Sequence, residues 1–384
     1  MNGITSLVEN SLVIQQDAAN GESRFRLLEV VREYALEILE SSGESEMTRK
    51  NHAAFFLALA AKAKSNFHFG QEIERLNRLE EEIDNLRAVL SWSLRNDIAT
   101  AANLAAALRR FWLVHNHLTE ERKWLETVLE KTADAPVEVR VKLIFGLGQA
   151  ALYQGDIETA RKMFEESLAL SKTANDRRQI ALSSRGLGAA AKQQGDIETA
   201  KKFMQKGLKI SHELKDVFGI SVSLNNLGDL ARMENDFAAA RSLLGKSLAF
   251  SRQLGNSEGV CGNLNNLGAV TFGEGDDETA NTHFSEAIAL GQNLGDKVSV
   301  SYSLDGFAAL AVRQKNFECA AKLAGAAEKL RQSLGFRTEP AERNFREDYI
   351  ARLHRSIDKP TFSKYYEQGR NLKMEEAVAL ALKG

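Results

Sequence analysis

Apolar and small residues recur along the middle of the chain every 40 positions. Leu147, Leu187, Leu227, Leu267 and Phe307 keep this step, and so do Gly148, Gly188, Gly228, Gly268 and Ala308. Ala160, Ala200, Ala240, Ala280 and Ala320 share the phase, and Phe164, Met204, Leu244 and Phe284 add a bulky apolar residue to it. The polar positions follow the same period. Gly155-Asp156-Ile157-Glu158-Thr159-Ala160 returns as Gly195-Asp196-Ile197-Glu198-Thr199-Ala200. Variants follow at Asn235-Asp236-Phe237, Gly275-Asp276-Asp277 and Lys315-Asn316-Phe317. Self-similarity at a fixed step is the mark of stacked repeat units. Each unit predicts two helices joined by a Gly-Asp turn. The Gly takes the left-handed conformation that ends the first helix. The Asp caps the second by accepting backbone N–H bonds. Asn235 tolerates that conformation, whereas Lys315 fits it poorly and marks the fifth unit as decayed or terminal. Small residues fall where two helices must approach closely, and the bulky ones fill the space between pairs.

The flanks lack this phase. Residues 44–135 read as irregular helical hairpins, with Trp92, Phe111, Trp112 and Trp124 in amphipathic segments that predict an aromatic core. Ser11 to Gln15 reads as a short strand, Asp17 to Ser23 as a polar turn and Arg24 to Leu28 as a second strand. A helix over Glu29 to Ser41, ended by Gly43, follows. Residues 1–43 thus predict part of a winged helix, without the two helices that would precede its wing. Residues 136–335 hold the repeats, and 336–384 are expected to form capping helices.

Composition narrows the function. The net charge is −2 and no basic run occurs, which disfavours non-specific nucleic-acid binding. Arg24 and Arg26 on the wing could touch DNA, but no recognition helix accompanies them for specific readout. Prolines stand only at Pro136, Pro340 and Pro360, so no helix between the first two need be broken. Cys261 and Cys319 form no CxxC motif and read as small buried side chains. The first residues carry Glu9 and no apolar leader core. The longest uncharged stretch, Gly259 to Gly273, is too short and too rich in asparagine to cross a bilayer. A reducing cytoplasm is the expected compartment.

No catalytic set stands out, and no cofactor is implied. Gly245-Lys246-Ser247 mimics the end of a phosphate-binding loop, but the Gly that should lie four residues earlier is missing and the triplet falls inside a helix. His115 and His117 are two apart, on different faces of any helix, and have no evident third metal ligand. The chain is expected to be no enzyme.

The repeated Gly, Ala and large apolar positions resemble the tetratricopeptide repeat, lengthened by about six residues per unit relative to its common form. The implied fold is all-α: a right-handed superhelical solenoid with a small winged-helix remnant at its N-terminus. A wider likeness spans nearly the whole chain. Leu7-Val8-Glu9-Asn10-Ser11-Leu12-Val13, Arg24 through Ala35, Glu82-Ile83-Asp84-Asn85-Leu86-Arg87 and Lys123-Trp124-Leu125-Glu126 resemble landmarks of bacterial STAND-type predicted ATPases and transcriptional regulators with an NB-ARC-like module. Ala320-Ala321-Lys322-Leu323-Ala324-Gly325 and Glu375-Glu376-Ala377-Val378 match the end of that region. The resemblance implies a sensor or interaction arm without the P-loop, Walker B strand or DNA-reading domain.

In tetratricopeptide solenoids the first helix of each pair lines the concave groove. Carried over, this implies ligand-binding positions at Tyr153, Asn225, Asn226, Asp229, Arg232, Met233, Asn265, Asn266, Phe272 and Arg313, with Phe145, Gln149, Arg185, Lys192, Gln193 and Asp305 beside them. The Leu-Asn-Asn-Leu-Gly motif at 224–228 and 264–268 stands out, because a side-chain amide both donates and accepts. Its asparagines either pair with an extended peptide or bridge adjacent first helices. The expected partner is a protein or peptide in the groove, with a nucleotide-binding regulator as a further candidate and no membrane. The alternative is a small-molecule inducer, which would require a closed apolar pocket.

Overall fold

The 40-residue step becomes a stack of helical hairpins. The structure, a computed structural model, describes residues 2–17, 23–63, 72–334 and 338–383. It opens with α1 (Asn2–Glu9) and an antiparallel hairpin of β1 (Val13–Asp17) and β2 (Ser23–Leu27), Val13 lying opposite Leu27. The first strand starts two residues later than its sequence suggests. Ser11 takes a left-handed φ of 57° and its N–H closes a turn onto the Val8 carbonyl. Most of the turn expected at Asp17–Ser23 lies outside the described residues. After it comes α2 (Glu29–Ser42), which ends at Gly43 in the left-handed conformation.

Helices α3 (Ser45–Ala63), α4 (Glu72–Glu81), α5 (Ile83–Asn96), α6 (Ile98–Val114) and α7 (Leu118–Glu130) follow. They share an apolar core that includes Phe56, Leu90, Trp92, Phe111, Trp112 and Leu125. Trp124 packs at its edge and donates its indole N–H to Glu120.

Five hairpins come next: α8 (Val137–Tyr153) with α9 (Ile157–Thr173), α10 (Arg177–Gln194) with α11 (Ile197–Glu213), and α12 (Val217–Met233) with α13 (Phe237–Gln253). Then come α14 (Ser257–Glu274) with α15 (Asp277–Leu294), and α16 (Lys297–Arg313) with α17 (Phe317–Leu334). The turn at each centre has the geometry its sequence dictates. Gly155, Gly195, Asn235, Gly275 and Lys315 all have positive φ, between 61° and 88°. Asp156, Asp196, Asp236 and Asp276 each accept a backbone N–H three residues on. A second series, not anticipated from the Gly-Asp turns, caps the first helices in the same way: Asp176, Asp216, Asn256 and Asp296. Caps therefore alternate every 20 residues along the stack.

Packing explains the remaining periodic positions. The five in-phase alanines, Ala160 to Ala320, are wholly buried. A Cβ on Gly268 would stand 2.5 Å from the buried Phe284 ring, and one on Gly228 would stand 2.7 Å from Leu244. Neighbouring first helices touch one another along the series α8, α10, α12, α14 and α16, and so form the inner, more tightly curved wall. The result is a tetratricopeptide-like solenoid.

Three helices follow: α18 (Pro340–Ser356), α19 (Lys359–Arg370) and α20 (Met374–Lys383). The last two pack on α17 and close the end of the stack. α19 comes so near that Gly325 and Gly369 each face the other helix's backbone. α18 does not cap; it turns back against α12, α16 and α17. Among the described residues no helix is long and apolar enough to cross a membrane.

Two substitutions test this packing by chemical denaturation. Gly268→Ala is expected to destabilise the chain by about 1–3 kcal/mol, because the buried Phe284 ring cannot yield without strain. Lys315→Gly is expected to stabilise it by about 1 kcal/mol, relieving a side chain held in the left-handed region.

Candidate binding groove

The inner wall is polar and charged, and it is occupied by part of the chain itself. α18 lies along it and meets successive first helices in turn. Lys192 of α10 places Nζ 2.8 Å from Glu339, the residue preceding α18, and 2.9 Å from Asp229. Arg232 of α12 donates to Asp229 at 2.9 Å and to Glu342 of α18. Phe345 meets Phe272 of α14 edge-on, with ring centroids 5.6 Å apart. Arg346 donates to Asp305 of α16 at 2.7 Å, and the same carboxylate accepts from Tyr349 and from Arg331 of α17. The open trough expected from the repeats is thus filled. The repeats dictate the wall, but nothing in them dictates where a later helix will dock.

Burial makes these charges interdependent. Lys192 and Asp229 are each 4% exposed, and Arg232 and Glu342 each 7%. Burial opposes ionisation of Asp229, yet Lys192 and Arg232 outweigh it and hold its carboxyl down at about 2. Burial likewise opposes the charge on Lys192, but Glu339 and Asp229 together raise its pKa. For Glu342 burial prevails: its pKa rises although Arg232 works to lower it. An ion pair sequestered in this way holds only while each partner is present, since removing one leaves an uncompensated buried charge.

At the N-terminal end of the groove, half-buried Tyr153 stands near Arg109, Arg110, Glu121 and Glu339, its phenol pushed up mainly by burial. Arg110 of α6 pairs with Glu258 at the start of α14, bridging elements 148 residues apart. Half-buried Arg109 bonds to Gln149 and stands 5.0 Å over the Phe145 ring. Glu121, 3% exposed, is pushed up by burial to about 8, and the attraction of Arg109 only partly offsets this.

The other sequence-derived positions distribute unevenly. Asn225, Asn226 and Asn266 are half-buried on first helices. Asn266 donates to Asn225 across two repeats at 3.2 Å, and Asn226 donates to the Val222 carbonyl of its own helix. Asn265 is buried, donates to the Ser299 carbonyl and accepts from Ser303, joining α14 to α16. Phe272 lies under the Arg313 guanidinium, 3.6 Å from the ring centroid, and Arg313 also donates to the Phe272 carbonyl. Met233 packs against the apolar cluster of Ala200, Met204 and Leu230. Phe145 packs on Phe164, and buried Arg185 turns back to Ser211 of α11, each filling space within the stack.

Sequence reasoning missed Glu339, Glu342, Phe345, Arg346 and Tyr349. Their spacing at three and four residues does place them on one helical stripe, which was the available signal. The motifs set aside earlier have structural roles. Ser247 of Gly245-Lys246-Ser247 donates to the Ser221 carbonyl inside the stack. His117 bonds Glu80 at 2.9 Å, with His115 at 3.9 Å from the same carboxylate. Among the described residues no group of three potential metal ligands occurs. Arg24 on the wing pairs with Glu81 and Glu82. Cys261 is a buried thiol, pushed by its burial up to about 12.

Comparison with known proteins agrees with this architecture. Residues 106–264 match the model of the MalT-like TPR region. A candidate HTH-type transcriptional regulator of Mycobacterium bovis is 42% identical over 132 residues, which are 34% of this chain and 14% of that protein. The match therefore spans about one seventh of the relative's length. A Rap protein complexed with Competence and Sporulation Factor superposes with a TM-score of 0.61 at 10% identity, covering 86% of this chain and 99% of its own. The Rap conjugation gene regulator of plasmid pLS20, in complex with the Phr* peptide, superposes with a TM-score of 0.51 at 11% identity, covering 79% and 96%. At these identities the structural likeness is one of fold. The chain is similar to the tetratricopeptide region of STAND-type regulators, the likeness its motifs implied.

Glu121 makes the groove's N-terminal end sensitive to pH. Its folded pKa lies above the unfolded value, so its contribution to stability is full below about pH 4.3 and is lost as pH rises toward 8. Glu121→Gln removes that loss. The variant is expected to melt with the wild type at pH 4.5 and about 3–5 °C above it at pH 8.5, read by circular dichroism. Parallel melting curves at both pH values would rule out the buried, protonated carboxyl.

Proposed function

We propose that this chain is a non-catalytic repeat scaffold that holds a peptide or protein segment in its concave groove, as the sensor or interaction arm of a regulatory system. The observation that carries this reading is the occupancy of the groove by a linear element, met by one side chain after another from successive first helices. A repeat stack presents its wall at regular intervals, and an extended or helical segment is the natural complement of such a wall. The two Rap proteins support the reading, since each shares this architecture and was solved with a peptide or factor bound. The regulator relative supports a place in transcriptional control, and the motif resemblance adds a nucleotide-binding regulator as a further candidate partner. The charged, ion-paired wall favours a polar segment over an apolar inducer. The two buried, unpaired thiols support a place in a reducing compartment such as the cytoplasm.

The half-buried amides of Asn226 and Asn266 remain within reach of a bound backbone. Panning the full chain against a random displayed peptide library is expected to yield groove binders. Asn226→Ala with Asn266→Ala should weaken those binders by roughly tenfold, the worth of one or two polar hydrogen bonds. Far-ultraviolet circular dichroism should be unchanged. Binders whose affinity ignores both substitutions would remove the asparagines from the site.

A further inference from the structure

α18 begins in a way that serves the groove rather than the helix. Glu339 occupies the N-cap position but makes no capping bond; its carboxylate goes to Lys192 instead. Pro340 at the first turn presets the helical backbone without needing a donor. Glu342, Phe345, Tyr349 and Leu353 then continue one stripe. The opposite face, with Asn344, Glu347, Asp348 and Arg352, is exposed.

The two halves of this helix are held differently. Tyr349 and Leu353 are wholly buried in the apolar core shared by α16, α17, α19 and α20. The first half is held by ion pairs to Lys192 and Arg232 and by the Phe345–Phe272 ring contact. Opposite Glu339 and Glu342 the wall presents two cations and one carboxylate, Asp229, so at these two places it requires carboxylates from whatever fills it. Its fit to α18 is also incomplete. Arg232 is buried, yet its Nε and Nη1 have no hydrogen-bond partner. Buried donors without acceptors are costly, so α18 holds this place less firmly than a segment free to aim its carboxylates at them.

We infer that the first half of α18 is a tethered stand-in for the groove's ligand, and that the wall accepts from a partner protein a helical segment with two carboxylates three residues apart and an aromatic residue three further on. This rests on the reading of the groove as a peptide site and deepens it. The partner segment replaces Glu339, Glu342 and Phe345 at Lys192, Arg232 and Phe272, while Tyr349 and Leu353 stay anchored. The tether makes α18 an ever-present competitor, so the chain in its resting state binds weakly, in proportion to the fraction of time the wall is free.

The test uses the full chain and a fluorescein-labelled synthetic peptide with the sequence of residues 338–348, beside a scrambled peptide of equal composition. Glu339→Gln, Glu342→Gln and Phe345→Ala together free the wall without altering Tyr349 or Leu353. By fluorescence polarisation the peptide is expected to bind this triple variant roughly tenfold or more tightly than the wild type. The scrambled peptide should bind neither, and the gain should vanish when Lys192→Gln and Arg232→Gln are added. Equal affinity for wild type and triple variant overturns the proposal. If the triple variant lacks a cooperative melting transition, hydrogen exchange on the wild-type chain decides. Excess peptide should then speed exchange of amides 341–346 and leave those of α16 unchanged, and unaltered exchange at 341–346 overturns the proposal. A chain that ignores this peptide yet retains library peptides through the asparagines keeps its peptide groove and loses the acidic occupant. The two readings therefore fail separately.

Discussion

The close approach of paired helices, set by a small residue facing a large one in four of the five units, governs this structure. A Cβ added at Gly148, Gly188, Gly228 or Gly268 would stand 2.5–2.9 Å from Phe164, Met204, Leu244 or Phe284, respectively. Because the contact repeats every 40 residues, each hairpin docks on the last with the same small rotation, and a curved inner wall follows without long-range instruction. The capped helix starts every 20 residues and the left-handed turns keep the hairpins equal in length, so the register of the stack does not drift. Side chains on first helices then arrive at the wall at fixed intervals.

What that wall can do depends on its polarity. Most surfaces inside the stack are apolar or bridged by serine hydroxyls, as at Ser167–Ser183 and Ser221–Ser247. The groove is different: Lys192, Asp229, Arg232, Asp305 and Arg331 line it, all nearly inaccessible to solvent. Such charges cannot be left facing an apolar filler. They constrain the occupant to supply groups of opposite sign, and α18 does so with Glu339, Glu342 and Arg346. The same logic applies at Tyr153 and Glu121, where burial rather than a neighbouring charge sets the protonation state. Charge complementarity here gives selectivity more than affinity, since each buried pair gains little beyond the desolvation it overcomes.

The N-terminal remnant contrasts with the stack. α2 buries none of its residues, and Val30, Tyr34 and Ile38 stand exposed along it. The hairpin is joined to the rest through Arg24 and the acidic pair Glu81 and Glu82. A sheet of two strands has too little area to bury an apolar face by itself.

Local chemistry sufficed for the repeat, its turns, its caps and its small-to-large contacts, because each is decided within or between neighbouring units. The phase of Leu147, Gly148, Ala160 and Phe164 carries that information, as does the Gly-Asp turn. The same locality explains why Ser11 ends α1 instead of starting a strand only once its backbone is seen: a serine permits either conformation. The placement of Asn265, Phe145 and Arg185 depends on which side of a first helix faces its own partner and which faces the groove, and that follows from the rotation between hairpins. The docking of α18 is more remote still. Glu339 and Glu342 lie 147 and 110 residues from Lys192 and Arg232. A stripe of acidic and aromatic residues is compatible with solvent, a partner or the groove. Only the folded wall, by bringing buried cations from separate repeats to one line, decides among them.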